Sequence, residues 1–434
     1  MKKLLWLAAV AWVSGALAQD FHGYIQGGEP IVVAVPDFRG TGVASRPLAV
    51  FNQVLWADLQ DSGRFKMVSK SKYPAFIPQQ PADWPGRFPQ WVGAPVSTTY
   101  VAFGYAASQS GSLVVRGWLN DVRQSQGGAQ MMGNTYLGSM DDAGARKIAH
   151  QFAADIISKL GGTPLVGTHI YFVSDRTGHK EIWVMDPDGA NQRQITRINF
   201  IATYPAVSAD GSKLAFTAWP GAGQYPRIFI YATDSPRDLH FRNPQASMNG
   251  TASFTPDGRR VVFSSSAKGG RNLFSANVDG SDLRQITSGD KIDAEPKVSP
   301  NGYAVAFSSN RSGREQIYRV NLDGGDMSRL TDGAGDASNP SWQPEGKVIA
   351  FAWTRGYAIG GFNIFWMDAV DQKPKQLTHG QGKNENPSWA PDGIHLAFSS
   401  TRSGFSQIWT MLADGNSARR LTVQGHNENP VWSK

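Results

Sequence analysis

The chain has 434 residues and carries 42 Lys and Arg against 35 Asp and Glu, a formal net charge of +7. A composition of 41% hydrophobic and 18% charged residues is globular and excludes a disordered chain. The sequence has no cysteine, which excludes disulfides, thiolate metal sites and cysteine nucleophiles. It also has no run of Lys and Arg of the kind that forms a focused basic patch, so no nucleic-acid partner is predicted.

Residues 1–18 have the pattern of a secretory signal peptide. Lys2 and Lys3 give a positive start, residues 4–17 carry no charge, and Ala16-Leu17-Ala18 fits the small-x-small rule for cleavage. The uncharged stretch is shorter than the roughly twenty residues that span a bilayer. The pattern predicts an exported, soluble mature chain that begins at Gln19 and has no membrane span.

Residues 19–165 mix the periodicities of strands and helices and predict a small α/β domain. Helices are expected to start at Ser45, with Ser45 as N-cap, and at Asp141, where negative charge favours a helix start. A segment over 71–95, rich in Pro and Trp, predicts a long loop. Strands are expected over 30–35, 65–69, 100–103 and 113–119.

Residues 166–434 repeat a four-strand pattern. Turn glycines recur at steps of 47, 44, 44 and 47 residues, and an apolar strand that ends in Phe follows each of them. A period of about 40–50 residues with four short strands is typical of a β-propeller blade. The turn glycines are Gly211, Gly258, Gly302, Gly346 and Gly393.

The two ends of the repeat region complete one further blade. Residues 427–432 repeat the inner strand at 384–389, and residues 167–172 match 393–398. Together with the five internal blades this predicts a six-bladed β-propeller that is closed by pairing of its first and last segments. Closure of this kind leaves no open sheet edge.

No spacing typical of a catalytic site stands out. The sequence lacks G-x-S-x-G, H-E-x-x-H and G-x-x-x-x-G-K-[ST], so neither an enzyme nor a cofactor is predicted. The Ser-x-Arg-x-Gly motif at Ser174, Ser309 and Ser400 predicts a structural role, in which the arginine bridges blades or caps a turn.

The remaining candidates are loops that lead into the inner strands and gather at the channel mouth. They are polar and mildly acidic, and recognition commonly resides in loops on a rigid scaffold. The same Asn and Glu residues could instead cap strand ends. The candidates are Thr203, Tyr204, Met248, Asn249, Thr251, Ala294, Glu295, Asn339, Glu385, Asn386, Glu428 and Asn429.

Over nearly the whole mature chain, this organisation resembles the TolB family of the Tol–Pal cell-envelope system. In the N-terminal region, residues 59–65 (LQDSGRF), 118–122 (WLNDV) and 146–155 (RKIAHQFAAD) are similar to family motifs. The resemblance implies a monomeric, non-enzymatic periplasmic adaptor. Its role would be to support outer-membrane integrity and constriction during cell division.

The resemblance also implies two partners. The peptidoglycan-associated lipoprotein Pal would bind the channel-mouth loops, where Met248 replaces the family's usual histidine. Reversing Glu295 and Glu385 to Lys is expected to weaken Pal binding without changing folding. An alternative remains open, namely a propeller module of a periplasmic peptidase or glycan-binding system. The inner-membrane protein TolA would bind the mature N-terminal segment through Asp20, Phe21, His22, Tyr24 and Ile25.

Overall fold

The structure is a computed structural model that describes residues 31–43, 45–84, 86–124, 129–235, 237–244 and 247–434. The predicted signal peptide and the predicted TolA-binding segment, Asp20 to Ile25, lie outside these ranges. The chain divides into two compact units, Met1–Val166 and Gly167–Lys434. Within the described ranges, no helix combines the length and apolar character needed to cross a membrane.

The N-terminal unit is an α/β domain, as predicted. Its described residues form a six-stranded sheet in the order β3-β1-β4-β5-β6, with β2 beside β4. The elements are β1 (Ile31–Ala34), β2 (Arg39–Thr41), α1 (Ser45–Asp61), β3 (Phe65–Met67), α2 (Pro89–Val92), β4 (Tyr100–Gln109), β5 (Ser112–Asp121), β6 (Ala129–Ser139) and α3 (Asp142–Lys159).

Helices α1 and α3 cover one face of this sheet. The spacing of four between Phe51, Leu55 and Leu59 places them on one side of α1, where they pack against Ile148 and Phe152 of α3. Helix α3 begins at a capped end, since the Asp141 carboxylate accepts a hydrogen bond from the Gly144 N–H at 2.8 Å. The residues predicted to form the apolar face of each helix are therefore the ones that face the core.

The segment predicted as a long loop is a packed layer on the other face of the sheet. Trp84 and Trp91 are fully buried there and join Val101 and Phe103 of β4 in a second apolar cluster. The Trp residues in this Pro-rich segment thus build a hydrophobic core although the segment has little regular secondary structure. Strand β6 was not predicted, because its residues are mostly half-exposed and do not alternate cleanly.

The C-terminal unit is the predicted six-bladed propeller, with four strands in each blade. From the inner strand outward, blade 1 is β30 (Asn427–Ser433), β7 (His169–Ser174), β8 (Glu181–Met185) and β9 (Arg193–Gln194). Blade 2 is β10 (Ile201–Val207), β11 (Lys213–Trp219), β12 (Arg227–Ala232) and β13 (Arg237–Asp238). Blade 3 is β14 (Asn249–Phe254), β15 (Arg260–Ser265), β16 (Asn272–Asn277) and β17 (Arg284–Gln285).

The remaining blades follow the same order. Blade 4 is β18 (Asp293–Val298), β19 (Ala304–Ser312), β20 (Arg314–Asn321) and β21 (Ser328–Arg329). Blade 5 is β22 (Ala337–Trp342), β23 (Val348–Trp353), β24 (Asn363–Asp368) and β25 (Pro374–Gln376). Blade 6 is β26 (Asn384–Trp389), β27 (His395–Ser400), β28 (Gln407–Leu412) and β29 (Arg419–Arg420).

The predicted closure of the ring is confirmed. Strand β30 pairs antiparallel with β7, from Asn427 opposite Ser174 to Ser433 opposite His169. The Trp432 indole N–H also donates to the Thr168 hydroxyl at 2.9 Å. Blade 1 therefore takes its inner strand from the C-terminal end and its other three strands from the start of the repeat region.

The repeated phenylalanine of each second strand forms the blade core. All six are fully buried, and each lies opposite an aromatic residue of the third strand, which lets the two rings pack on one sheet face. The pairs are Phe172–Trp183, Phe216–Phe229, Phe263–Phe274, Phe307–Tyr318, Phe351–Phe365 and Phe398–Trp409.

The motif arginines join two strands of a single blade. Arg402 lies over the rings of Phe398 and Trp409, while its guanidinium donates to the Ser400 hydroxyl at 3.0 Å and to the Asn384 side chain at 2.9 Å. Arg176 and Arg311 make the corresponding contacts in blades 1 and 4. The structural role is as predicted, but the arginine links inner and second strands and does not bridge blades.

Candidate partner-binding site at the channel mouth

Every inner strand carries a β-bulge at the same place. At the bulge the pairing register between the inner and the second strand shifts. In each inner strand one residue there adopts a left-handed conformation, with φ between 51° and 54°. Bulges of this kind redirect side chains. We call these six the ring residues: Tyr204, Thr251, Glu295, Asn339, Asn386 and Asn429.

Hydrogen bonds at the bulges connect each blade to the next. Glu295 accepts from the Asn339 backbone N–H at 2.8 Å and from the Asn339 side-chain amide at 2.7 Å. The Thr251 hydroxyl accepts from the Glu295 N–H at 3.2 Å, and the Asn429 side chain accepts from the Thr203 hydroxyl at 3.0 Å. Corresponding bonds join blades 2 and 3, 5 and 6, and 6 and 1.

The predicted site residues lie in strands and are less exposed than loop residues would be. Eleven of the twelve lie inside inner strands, and Met248 alone directly precedes its strand. Met248 is 40% exposed, whereas the other eleven are half-buried or buried. The prediction that these residues lie in loops was wrong. Asn, Glu and Pro are typical of loops, but here they occupy a β-bulge within a continuous strand. The buried members are Thr203, Asn249, Thr251 and Ala294.

Glu295 and Glu385 have different surroundings. Glu295 holds Asn339 with both carboxylate oxygens and also accepts from the Ser308 hydroxyl at 2.7 Å. Glu385 instead forms an ion pair with Lys383 at 2.8 Å. A Glu295→Lys change is thus expected to disturb folding, contrary to the sequence-based expectation, and Glu385 is the cleaner probe of binding.

The opening combines several charges. Glu428 pairs with Lys180 across blade 1, as Glu385 pairs with Lys383 in blade 6. Burial raises the pKa of Glu385, and the neighbouring Glu295 and Glu428 carboxylates add to this effect while Lys383 opposes it. Burial and the same carboxylates raise the pKa of Tyr204 to about 12. The mouth is therefore a polar surface with concentrated negative charge and two lysines at its edge.

Glu315 gives this charge cluster a pH dependence. Burial, then repulsion from Glu295 and Asp336, raises its pKa to about 7, with Arg271 opposing the shift. A raised carboxyl pKa means that stability is greatest while the group is protonated and falls as pH rises from about 4.5 through 7.

Glu315→Gln should remove this loss of stability. We expect the variant and wild type to unfold alike at pH 4.5, and the variant to be more stable by about 1–2 kcal/mol at pH 8, after allowance for solvent screening. Urea unfolding at the two pH values measures the difference. Glu345→Gln, an exposed carboxylate in a turn of blade 5, is the matched control. An equal effect of Glu315→Gln at both pH values would contradict this account.

Exposed apolar side chains lie on the same face of the propeller as this opening. Adjacent strands in a blade are antiparallel, so the loops between second and third strands and those between blades open on one face. Seven of the eleven exposed large hydrophobic residues described in the propeller lie in these loops. They are Tyr225, Met248, Ile292, Tyr357, Ile359, Phe405 and Val423. We call this surface the mouth face.

All six ring residues and Met248 were predicted from the sequence as site residues, although in loops. The bulge that the ring residues share and the other six exposed apolar residues were not predicted. The ring positions are marked in the sequence, since five of the six ring residues directly precede a Pro or Ala that lies six positions before a turn glycine. Met248 and Ile292 each directly precede an inner strand, and Tyr225 and Phe405 each lie four positions before the third-strand aromatic residue, so the seven share no single repeat position. Their common face becomes apparent once the strand directions are known.

These features define a two-domain protein, an α/β domain followed by a six-bladed propeller with one apolar and charged face. Comparison with known sequences identifies the family. The sequence profile of the TolB amino-terminal domain matches residues 25–127, and that of the TolB beta propeller domain matches residues 157–358 and 332–434. The chain belongs to the TolB family.

Individual relatives match parts of the chain. The "Tol-Pal system protein TolB" of Anaeromyxobacter dehalogenans is 30% identical over 303 residues, which cover 68% of this chain and 67% of that protein. The "Protein TolB homolog" of Chlorobium luteolum is 34% identical over 182 residues, 41% of this chain, and the match spans 39% of that relative. The crystal structure of TolB from Acinetobacter baumannii shares the fold, with a TM-score of 0.74 and 21% identity over 94% of this chain and 97% of that chain.

Proposed function

We propose that this protein is a periplasmic adaptor of the Tol–Pal system that binds Pal through the mouth face of its propeller. The observation that carries the proposal is that seven exposed large apolar residues share the face on which the charged opening lies. Exposed apolar surface that is gathered on one face and rimmed by polar residues commonly marks a protein–protein interaction site. The relative named as a Tol-Pal system protein supports Pal as the partner.

The mouth face has the composition of a transient protein interface. Aromatic residues such as Tyr225, Tyr357 and Phe405 supply the apolar contacts that dominate binding energies. Glu385 and Glu428 supply charges that steer a partner and fix its orientation. The proposed contacts are therefore Met248, the exposed apolar residues and the half-buried carboxylates.

The proposed role is binding without catalysis. The polar groups nearest the channel already form hydrogen bonds within the protein, as Glu295 does with Asn339 and Thr251 does with Glu295. A general acid or base needs a carboxylate that is free to exchange a proton with a substrate. These groups instead serve to keep the six blades in register beneath the mouth face.

The proposal includes export and a second partner. The signal-peptide pattern at residues 1–18 supports a periplasmic location, from which the protein would contribute to outer-membrane integrity and to constriction during division. The segment Asp20 to Ile25 would bind TolA. Deletion of residues 19–25 should abolish TolA binding and leave Pal binding intact, which pull-down with each purified partner measures.

A substitution on the mouth face tests the Pal site. Phe405 is 68% exposed, so Phe405→Ser should leave folding unchanged and weaken Pal binding by on the order of tenfold. Titration calorimetry against the periplasmic domain of Pal measures the affinity. Tyr303→Ser is the matched control, because Tyr303 is 76% exposed in a turn on the opposite face. Equal affinities of the two variants would reject this placement.

The charged part of the site has a separate test. Glu385→Lys removes the partner of Lys383 and reverses one charge at the opening. We expect slower association and weaker binding at low salt, with the difference shrinking as ionic strength rises. Stopped-flow association rates at several salt concentrations measure this, and a rate that does not change would exclude Glu385 from the site.

A further inference from the structure

The propeller channel contains a small cavity below the mouth. It has a volume of about 60 Å³ and is lined by the ring residues and by the residue that follows each of them. In blades 1, 4, 5 and 6 the next residue along the chain lines it as well. A single water needs roughly 10–15 Å³, so there is room for a few waters or for one small ion. Among the residues that line this cavity, Lys297 is the one cation and Glu295 the one anion.

Lys297 occupies a position where three other blades have serine. Ser253, Ser341 and Ser388 stand at the equivalent place two residues after the ring residue. Each serine hydroxyl accepts a hydrogen bond from the inner strand of the next blade, at 3.1, 3.3 and 2.9 Å respectively. Their hydroxyl protons make no hydrogen bond to another described residue, so Ser341 and Ser388 are free to donate into the cavity that they line.

The Lys297 ammonium has no comparable partner. No described residue accepts a hydrogen bond from it or forms an ion pair with it. The nearby Glu295 uses its carboxylate oxygens on Asn339 and Ser308. Burial lowers the pKa of Lys297, and Glu295 opposes this shift. Lys297 is half-buried at this cavity, and the one carboxylate near its ammonium is already hydrogen-bonded to Asn339 and Ser308. A bound anion would therefore offset the cost of desolvating the ammonium.

We propose that the channel binds a small inorganic anion, such as chloride, at the Lys297 ammonium, with hydroxyl donors from Ser341 and Ser388. This site lies below the mouth face and goes beyond the proposed adaptor function. An anion of this size fits the cavity, whereas a polyatomic organic anion such as gluconate does not. Because the site exists only in the closed ring, binding would stabilise the folded propeller.

The test compares chloride with gluconate at constant ionic strength and neutral pH, using thermal unfolding of the mature protein. We expect the melting temperature of wild type to rise by several degrees with chloride and to saturate. Lys297→Ser installs the residue found in three other blades, so it should fold and lose the saturable rise. Lys383→Ser, which removes a lysine at the mouth, should retain it.

A second readout requires no variant. Crystals of the wild-type protein soaked in bromide should show an anomalous peak in contact with the Lys297 ammonium. A rise in melting temperature that is equal in wild type and Lys297→Ser, or a bromide-soaked channel without a peak, would overturn the proposal. Loss of Pal binding in mouth-face variants with the chloride effect intact would show that the two sites are independent.

Discussion

Removal of residues 427–434 is expected to unfold the whole propeller rather than to loosen one end. The deletion takes away β30, which is the inner strand of blade 1 and the partner of β7. Buried Asn427 and Trp432 go with it, as does Asn429, which joins blade 1 to Thr203 of blade 2. The cost is on the order of 5 kcal/mol or more, comparable to the entire stability of many domains.

Circular dichroism during thermal unfolding measures this effect. Deletion of Lys434 alone, an exposed residue beyond β30, is the control and should leave the melting temperature unchanged. A synthetic peptide of residues 424–434 should restore part of the lost stability by adding the missing strand. A truncated protein that melts like the full chain would contradict closure by β30.

Substitution of Arg311 by methionine is expected to be the most damaging change at any of the three motif arginines. Arg311 donates to Asp293 at 2.6 Å, and the Asp293 side chain is 1% exposed. Removal of the guanidinium leaves a buried carboxylate whose remaining partner in blade 4 is the Ser309 hydroxyl. Such an uncompensated charge costs about 3–5 kcal/mol.

Arg402→Met is the matched comparison. Arg402 occupies the same place in blade 6, but its partner is the neutral side chain of Asn384. Loss of these hydrogen bonds should cost about 1–2 kcal/mol. Urea unfolding of both variants gives the difference, and adding Asp293→Asn to Arg311→Met should recover most of it. Equal costs for the two arginines would show that the Asp293 charge does not determine the stability of blade 4.

The repeat carried most of the information about the propeller. Turn glycines such as Gly211 and Gly393 require the positive φ that they adopt, and the buried phenylalanines fix the face on which neighbouring strands pack. The match between residues 427–432 and 384–389 predicted closure, because the two segments occupy the same place in a blade. The number of blades and the order of strands within them could therefore be predicted from the repeat in the sequence.

The candidate site depended on signals that are not local. A bulge turns Glu295 towards Asn339 of the next blade, and that contact joins positions 44 residues apart. Likewise, Phe405 and Tyr225 come to one face only through the directions of their strands. In the N-terminal unit, Trp84 and Trp91 are core residues without any periodic element to mark them. Burial of these residues follows from tertiary packing, which a single sequence pattern does not encode.

We expect the mouth face to bind Pal. Titration calorimetry of the mature protein, residues 19–434, against the periplasmic domain of Pal from the same organism tests it most directly. We predict saturable one-to-one binding that Phe405→Ser weakens and Tyr303→Ser does not. Absence of binding at high concentration, with both proteins folded, would contradict the adaptor function and leave the mouth face without its proposed partner.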